Sequence, residues 1–167
     1  GDSSADAGPA PGELPRMDLP LSAGIPESYV EHLPTRLAVY QRLAKLASRS
    51  DISAIRNELR DRFGPLPAEV ENLLVVADVR ALAASAGVES VIKGADAIVL
   101  SLRVPVGGAR VPLQRALGPS VKVGNTQIQM PIRRLGDEWL SRLTRVIERF
   151  LVFQENLKNL APAAPSA

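Results

Sequence analysis

Two carboxylates three residues apart, Glu58 and Asp61, stand in the charged segment Glu58-Leu59-Arg60-Asp61-Arg62-Phe63-Gly64. Paired carboxylates can do acid–base work, or hold a metal together with further oxygen ligands, when a cleft splits their pKa values. No spacing in the chain brings further oxygen ligands to this pair. On a helix, Leu59 and Phe63, four apart, meet on one face and point at a core, which leaves Glu58 and Asp61 together on another. Near a helix C-terminus two carboxylates oppose the helix dipole, at a cost of about 0.3–1 kcal/mol each if nothing pairs with them. Arg62, four beyond Glu58, offsets part of that cost. Two readings stay open, a solvated pair on a helix face or two acids awaiting basic groups on another surface. A second carboxylate pair, Asp137-Glu138, has the solvated reading. The other patterned set is Arg142, Arg145 and Arg149, at i, i+3 and i+7, with Arg133-Arg134 just before it. Such a stripe can follow phosphates. Yet aromatics are only 4%, and no base-stacking side chain interleaves the stripe.

Other chemistries are excluded by count. The 167 residues contain no cysteine, so disulfides, thiolate nucleophiles and thiolate metal sites are ruled out. His32, the only histidine, rules out a multi-histidine metal site and reads as a surface or turn residue ahead of Leu33-Pro34. No phosphate-cradling GxxxxGK[ST] loop occurs, and Gly107-Gly108-Ala109 is not GxGxxG, so it reads as a flexible loop. No enzyme, cofactor or metal is expected in this chain. No apolar run approaches 18 residues, so no membrane span is expected, and a cytoplasmic location fits. Net charge is +2, but residues 1–96 carry 10 basic and 14 acidic groups (−4) and residues 97–167 carry 10 and 4 (+6). An acidic front and a basic back suit two binding faces, or two faces that attract each other.

The elements that position these groups follow from periodicity. Residues 1–17, broken by Pro9, Pro11 and Pro15, read as a tail or linker, as do residues 161–167. Between them, residues 18–160 are expected to form one α+β domain. A first helix is expected from about Thr35 to Ala47, with Leu37, Tyr40, Leu43, Ala44 and Ala47 on one face and Arg36, Gln41, Arg42 and Lys45 off it. Ser50 or Asp51 can cap a second helix with the stripe Ile52, Ile55, Leu59 and Phe63, ended by a left-handed Gly64. Pro67 opens a third, with Val70, Leu73, Leu74 and Ala77 inward, which stops at Gly87. The period then changes to two. Val88–Lys93 and Ala97–Arg103 form one hairpin, a short helix runs from Pro112 to Gly118, and Ser120–Val123 with Thr126–Met130 form a second hairpin. Gly124-Asn125 suits a type II′ turn between them. Asp137 caps a last helix with Leu140, Leu143, Ile147, Phe150, Leu151 and Leu157 inward. The predicted class is α+β, helices packed on a small, mostly antiparallel sheet of two hairpins, in the order α-α-α-ββ-(short α)-ββ-α.

Three segments in this order carry a family resemblance. Ile25-Pro26-Glu27-Ser28-Tyr29-Val30, then Arg36-Leu37 with Tyr40, then Glu58-Leu59-Arg60-Asp61-Arg62-Phe63-Gly64 with Pro65 and Pro67 match a pattern of roughly IPxxYI, RLxxY and ELxDRFGxxP. Together with Asn72-Leu73-Leu74, they resemble the C-terminal domain of the bacterial transcription-repair coupling factors. The motifs cover Asp18 to Ala86, and beyond them only the element order matches, to Asn159. Pro34 and the basic second half depart from the pattern. The resemblance implies a regulatory module of an ATP-driven DNA translocase that displaces stalled RNA polymerase and recruits UvrA for excision repair. It implies docking on the UvrA-binding module of the same protein, which holds that module masked. It also implies that Glu58 and Asp61 meet basic residues there, while Arg36, Tyr40 and Phe63 serve packing. The rival expectation is a nucleic-acid-binding module using Arg142, Arg145 and Arg149.

Overall fold

The computed structural model describes residues 14–132, 136 and 138–160. Its first helix, α1 (Leu33–Lys45), starts two residues earlier than periodicity predicts, because Pro34 lies in the first turn, where its missing N–H costs nothing. The buried face of α1 also differs from the expected one. Val39 and Leu43 are buried, whereas Leu37, Tyr40, Ala44 and Ala47 are exposed. Helix α2 (Arg49–Phe63) is capped by Ser48, whose hydroxyl accepts from the Asp51 N–H, in place of the expected Ser50 or Asp51. Its Ile52, Ile55 and Leu59 are buried as predicted, and Phe63 is half-buried. Helix α3 (Ala68–Ser85) follows Pro67 and is succeeded by Gly87 at φ +71°.

The chain divides into two units, Gly1–Ala84 and Ser85–Ala167. The first contains α1, α2, nearly all of α3, and a short strand β1 (Arg16–Asp18), so the tail expected to extend to residue 17 ends earlier. Its core joins Ile25 and Val30 with Val39, Leu43, Ile52, Ile55, Leu59, Val70, Leu74 and Ala77. Ion pairs Arg49–Asp78, bidentate at 2.8 Å, and Arg56–Glu71 tie α2 to α3 along their solvent edges. The Arg80 guanidinium donates to the Leu43 carbonyl at the end of α1, and burial holds its pKa below the usual arginine value.

In the second unit β2 (Val88–Lys93) and β3 (Ala97–Leu102) form the first hairpin, and β4 (Lys122–Val123) and β5 (Gln127–Pro131) the second. β3 also pairs antiparallel with β5, so the order is β2-β3-β5-β4. Ile98, Leu100 and Leu102 alternate inward along β3 opposite Ile128 and Met130. The α+β class is the expected one, and so is the order of elements from α1 onward; β1 is a strand the sequence reading did not include.

Three local expectations are corrected here. Gly107-Gly108 belongs to a 3-10 turn (Gly107–Ala109) that leads into α4 (Arg110–Leu117), and Asn125 holds it: Val106 and Gly107 donate N–H bonds to the Asn125 carbonyl and side-chain oxygens at 2.7 and 2.9 Å. The second hairpin closes with the Gly124 N–H donating to the Gln127 carbonyl, and no residue in it has positive φ, so the turn is not type II′. Helix α5 (Trp139–Leu160) buries Trp139, Leu143, Val146, Ile147 and Phe150, while Leu140 and Leu151 are half-buried and Leu157 is exposed. Asp137, its expected cap, lies outside the described residues, as do Arg133 and Arg134.

Candidate functional site

The three motif segments hold one another through backbone carbonyls and amides. The Tyr29 hydroxyl donates to the Gly64 carbonyl at 2.8 Å, with the Leu59 carbonyl 3.1 Å away. Its ring packs against Phe63 with centroids 5.7 Å apart, and the Arg62 guanidinium lies 4.9 Å from the Phe63 centroid. Arg36 donates to the Val30 carbonyl at 2.7 Å. The Ile25 N–H donates to the Tyr40 hydroxyl at 2.7 Å. So Tyr29 fixes the end of α2, while Arg36 and Tyr40 fix the loop that carries Tyr29. Burial, the largest influence, raises the Tyr29 pKa, so the phenol stays protonated and able to donate. Gly64 ends α2 at φ 92° and ψ −170°, an extended conformation of positive φ that is essentially confined to glycine.

This clasp presents the last turns of α2. Glu58 is half-buried and Asp61 is exposed. They do not stand alike. Arg42 of α1 grips both Glu58 carboxylate oxygens, at 2.8 and 2.9 Å, and Arg62 adds a contact at 3.3 Å. The hydrogen bond from Arg42 is the largest cause holding the Glu58 pKa below the usual carboxylate range, and the same bond raises that of Arg42. The Asp61 carboxylate has no hydrogen bond or ion pair among the described residues. The unfavourable placement of an acid at a helix C-terminus is therefore relieved at Glu58 and left open at Asp61. Arg42 is legible in the sequence only as a residue on the polar side of α1. Its partner lies 16 residues away on another helix, and no local spacing encodes that pairing.

On α5 the structure brings Arg142, Arg145 and Arg149 to one face. With Leu117, Ser120, Glu138, Ser141 and Val146 they line a hollow of about 280 Å³. Arg145 and Arg149 also border an adjoining, more apolar hollow with Ala116, Glu148, Val152, Phe153 and Asn156. Two carboxylates thus interrupt the stripe. His32 is exposed at the N-cap position of α1 and makes no side-chain bond to the helix backbone; its Nδ1 lies 2.8 Å from the Thr35 hydroxyl. Among the described residues, no group of three or more histidine or carboxylate side chains is placed to hold a metal ion, and no helix is long and apolar enough to cross a membrane.

A helical unit followed by an antiparallel sheet with its own helices is the fold of the C-terminal domain of a transcription-repair coupling factor. The crystal structure of the C-terminal domain of one such factor superposes with a TM-score of 0.72 at 20% identity, covering 84% of this chain and 94% of that one. The chain belongs to the TRCF domain family, whose model matches residues 19–106. The transcription-repair-coupling factor of Mycobacterium bovis is 35% identical over 123 residues, 72% of this chain and 10% of that protein. That of Staphylococcus haemolyticus is 27% identical over 148 residues, 83% of this chain and 13% of its own length. The chain spans about a tenth of the length of the curated relatives it matches.

Proposed function

We propose that this domain is the regulatory, autoinhibitory C-terminal part of a transcription-repair coupling factor. It docks through the Glu58–Asp61 edge of α2 on a basic surface of the UvrA-binding module of the same protein. Docking masks that module and restrains the ATP-driven DNA translocase until a competing partner opens the contact. UvrA is that competitor, and stalled RNA polymerase is the upstream signal. The domain's own chemistry in this role is binding, in the cytoplasm.

The observation that carries the reading is Asp61, an exposed acid with no partner among the described residues, on a helix end that Tyr29 and Gly64 hold fixed. An acid so placed is stabilised by an external cation more than one already paired, because charge-assisted bonds and the opposed helix dipole both favour it. Contacts between domains of one chain are commonly small and polar, which suits a clamp that must open. The experiment is a titration of this domain in trans against the isolated UvrA-binding module. Glu58→Ala combined with Asp61→Ala lowers the affinity, and equal affinity removes the interface from α2.

The nucleic-acid reading of Arg142, Arg145 and Arg149 has less support. Glu138 and Glu148 share their two hollows, and one aromatic side chain, Phe153, borders them. Binding of the isolated domain to duplex DNA that strengthens steeply at low salt would revive it.

A further inference from the structure

Glu58 and Asp61 differ in how much room each leaves for a new partner. A carboxylate offers about four lone-pair positions. At Glu58, Arg42 occupies one on each oxygen, and Arg62 takes a second on Oε2. Among the described residues one position, on Oε1, is left untaken. At Asp61 no position is taken among the described residues. The Arg42 fork is bidentate yet reaches across a solvent-facing seam, since its side chain is 48% exposed and that of Glu58 34%. Pairs of that exposure add little to stability, so an incoming guanidinium can displace Arg42 without unfolding anything. The same exposure leaves Arg42 free to return.

We infer that Arg42 is an internal competitor for Glu58: it occupies the carboxylate that a basic partner would use, so docking begins at Asp61 and engages Glu58 only by exchanging one arginine for another. This rests on the α2 edge being the docking surface, and it adds how that surface is kept weak. A guanidinium in its own chain, held at high local concentration, lowers the affinity for an external cation without blocking it. A contact tuned this way releases readily when a competitor arrives.

The test measures affinity for the isolated UvrA-binding module, in trans, with variants of this domain. Arg42→Ala is expected to tighten binding about two- to fivefold, the release of one exposed pair. In a Glu58→Gln background the same change is expected to give less than half that gain, because nothing is left to release. Lys45→Ala, which removes an exposed cation from the same helix, reports the general effect of lost positive charge and is expected to change affinity less than Arg42→Ala. Asp61→Ala is expected to weaken binding more than Glu58→Ala. If Arg42→Ala leaves affinity unchanged or weakens it while Asp61→Ala still weakens it, the competitor role is wrong and the docking edge stands. The competitor role is equally wrong if Arg42→Ala tightens binding to the same extent in the Glu58→Gln background. If neither Asp61→Ala nor Glu58→Ala changes affinity, the docking edge fails and the competitor role fails with it.

Discussion

Arg42 of α1 and Glu58 of α2 form a two-pronged ion pair at 2.8 and 2.9 Å, and Asp61, one turn further along α2, has no such partner among the described residues. Two acids of one motif thus have different jobs. Glu58 helps join two helices, while Asp61 adds nothing to the fold that the structure records. The neighbouring ties Arg49–Asp78 and Arg56–Glu71 belong with Glu58, as links between helices.

The asymmetry predicts a pH signature. The Glu58 pKa is lowered in the folded state, chiefly by Arg42, so the pair stabilises the fold above the ordinary carboxylate pKa and is lost as pH falls through the depressed folded value. Carboxylate-resolved NMR titration is expected to show Glu58 titrating below the ordinary range, and Arg42→Ala is expected to move it upward. Because the pair is exposed, the stability at stake is about 0.2–1 kcal/mol and shrinks with added salt. A Glu58 titration that ignores Arg42→Ala would contradict the observed pairing.

Tyr29→Phe keeps the packing against Phe63 and deletes the hydroxyl that bonds the Gly64 carbonyl. Loss of one such bond costs about 0.5–1.5 kcal/mol. Chemical denaturation of the variant checks it, and a loss well under that range would mean water replaces the hydroxyl.

Gly64 tests the helix end differently. A Cβ there meets nothing within 4 Å, so Gly64→Ala introduces no clash, only a backbone conformation at φ 92° that side chains disfavour. A loss of about 1–3 kcal/mol is expected, read in a thermal melt. An unchanged melting temperature would mean the turn relaxes to another geometry.

Fold and surface can be separated on a single helix. Leu59 is 1% exposed, so Leu59→Ala is expected to cost about 2–5 kcal/mol. Phe63 is half-buried, so its loss costs less than the ~3–5 kcal/mol of a fully buried phenylalanine, about 2–3 kcal/mol. Asp61→Ala is expected to stay within about 0.5 kcal/mol of the parent. A large stability loss at Asp61 would mean the residue has a structural role after all.

What the sequence makes legible, and what it hides, follows from the range of each interaction. The α2 stripe of Ile52, Ile55 and Leu59 repeats at helical spacing with no competing apolar residues, so its buried face is readable. On α1 the apolar residues 33, 37, 39, 40 and 43 spread around more than one face, and pattern alone favours Leu37 and Tyr40 over Val39. Tertiary packing decides otherwise: Tyr40 uses its hydroxyl at the edge while Val39 and Leu43 fill the core. The turn at Gly124 misleads because glycine permits positive φ without requiring it. At the candidate site the motif identifies Glu58 and Asp61, but the cation that distinguishes them comes from another helix and leaves no mark in local spacing.

The most direct test of docking through the α2 edge is calorimetric titration of the isolated UvrA-binding module into this domain and into its Glu58→Ala, Asp61→Ala double variant. The predicted result is binding by the parent that weakens with salt, and a loss of tenfold or more (~1.4 kcal/mol) in the double variant, with the salt dependence reduced. Equal affinity and equal salt dependence for the two proteins would contradict it.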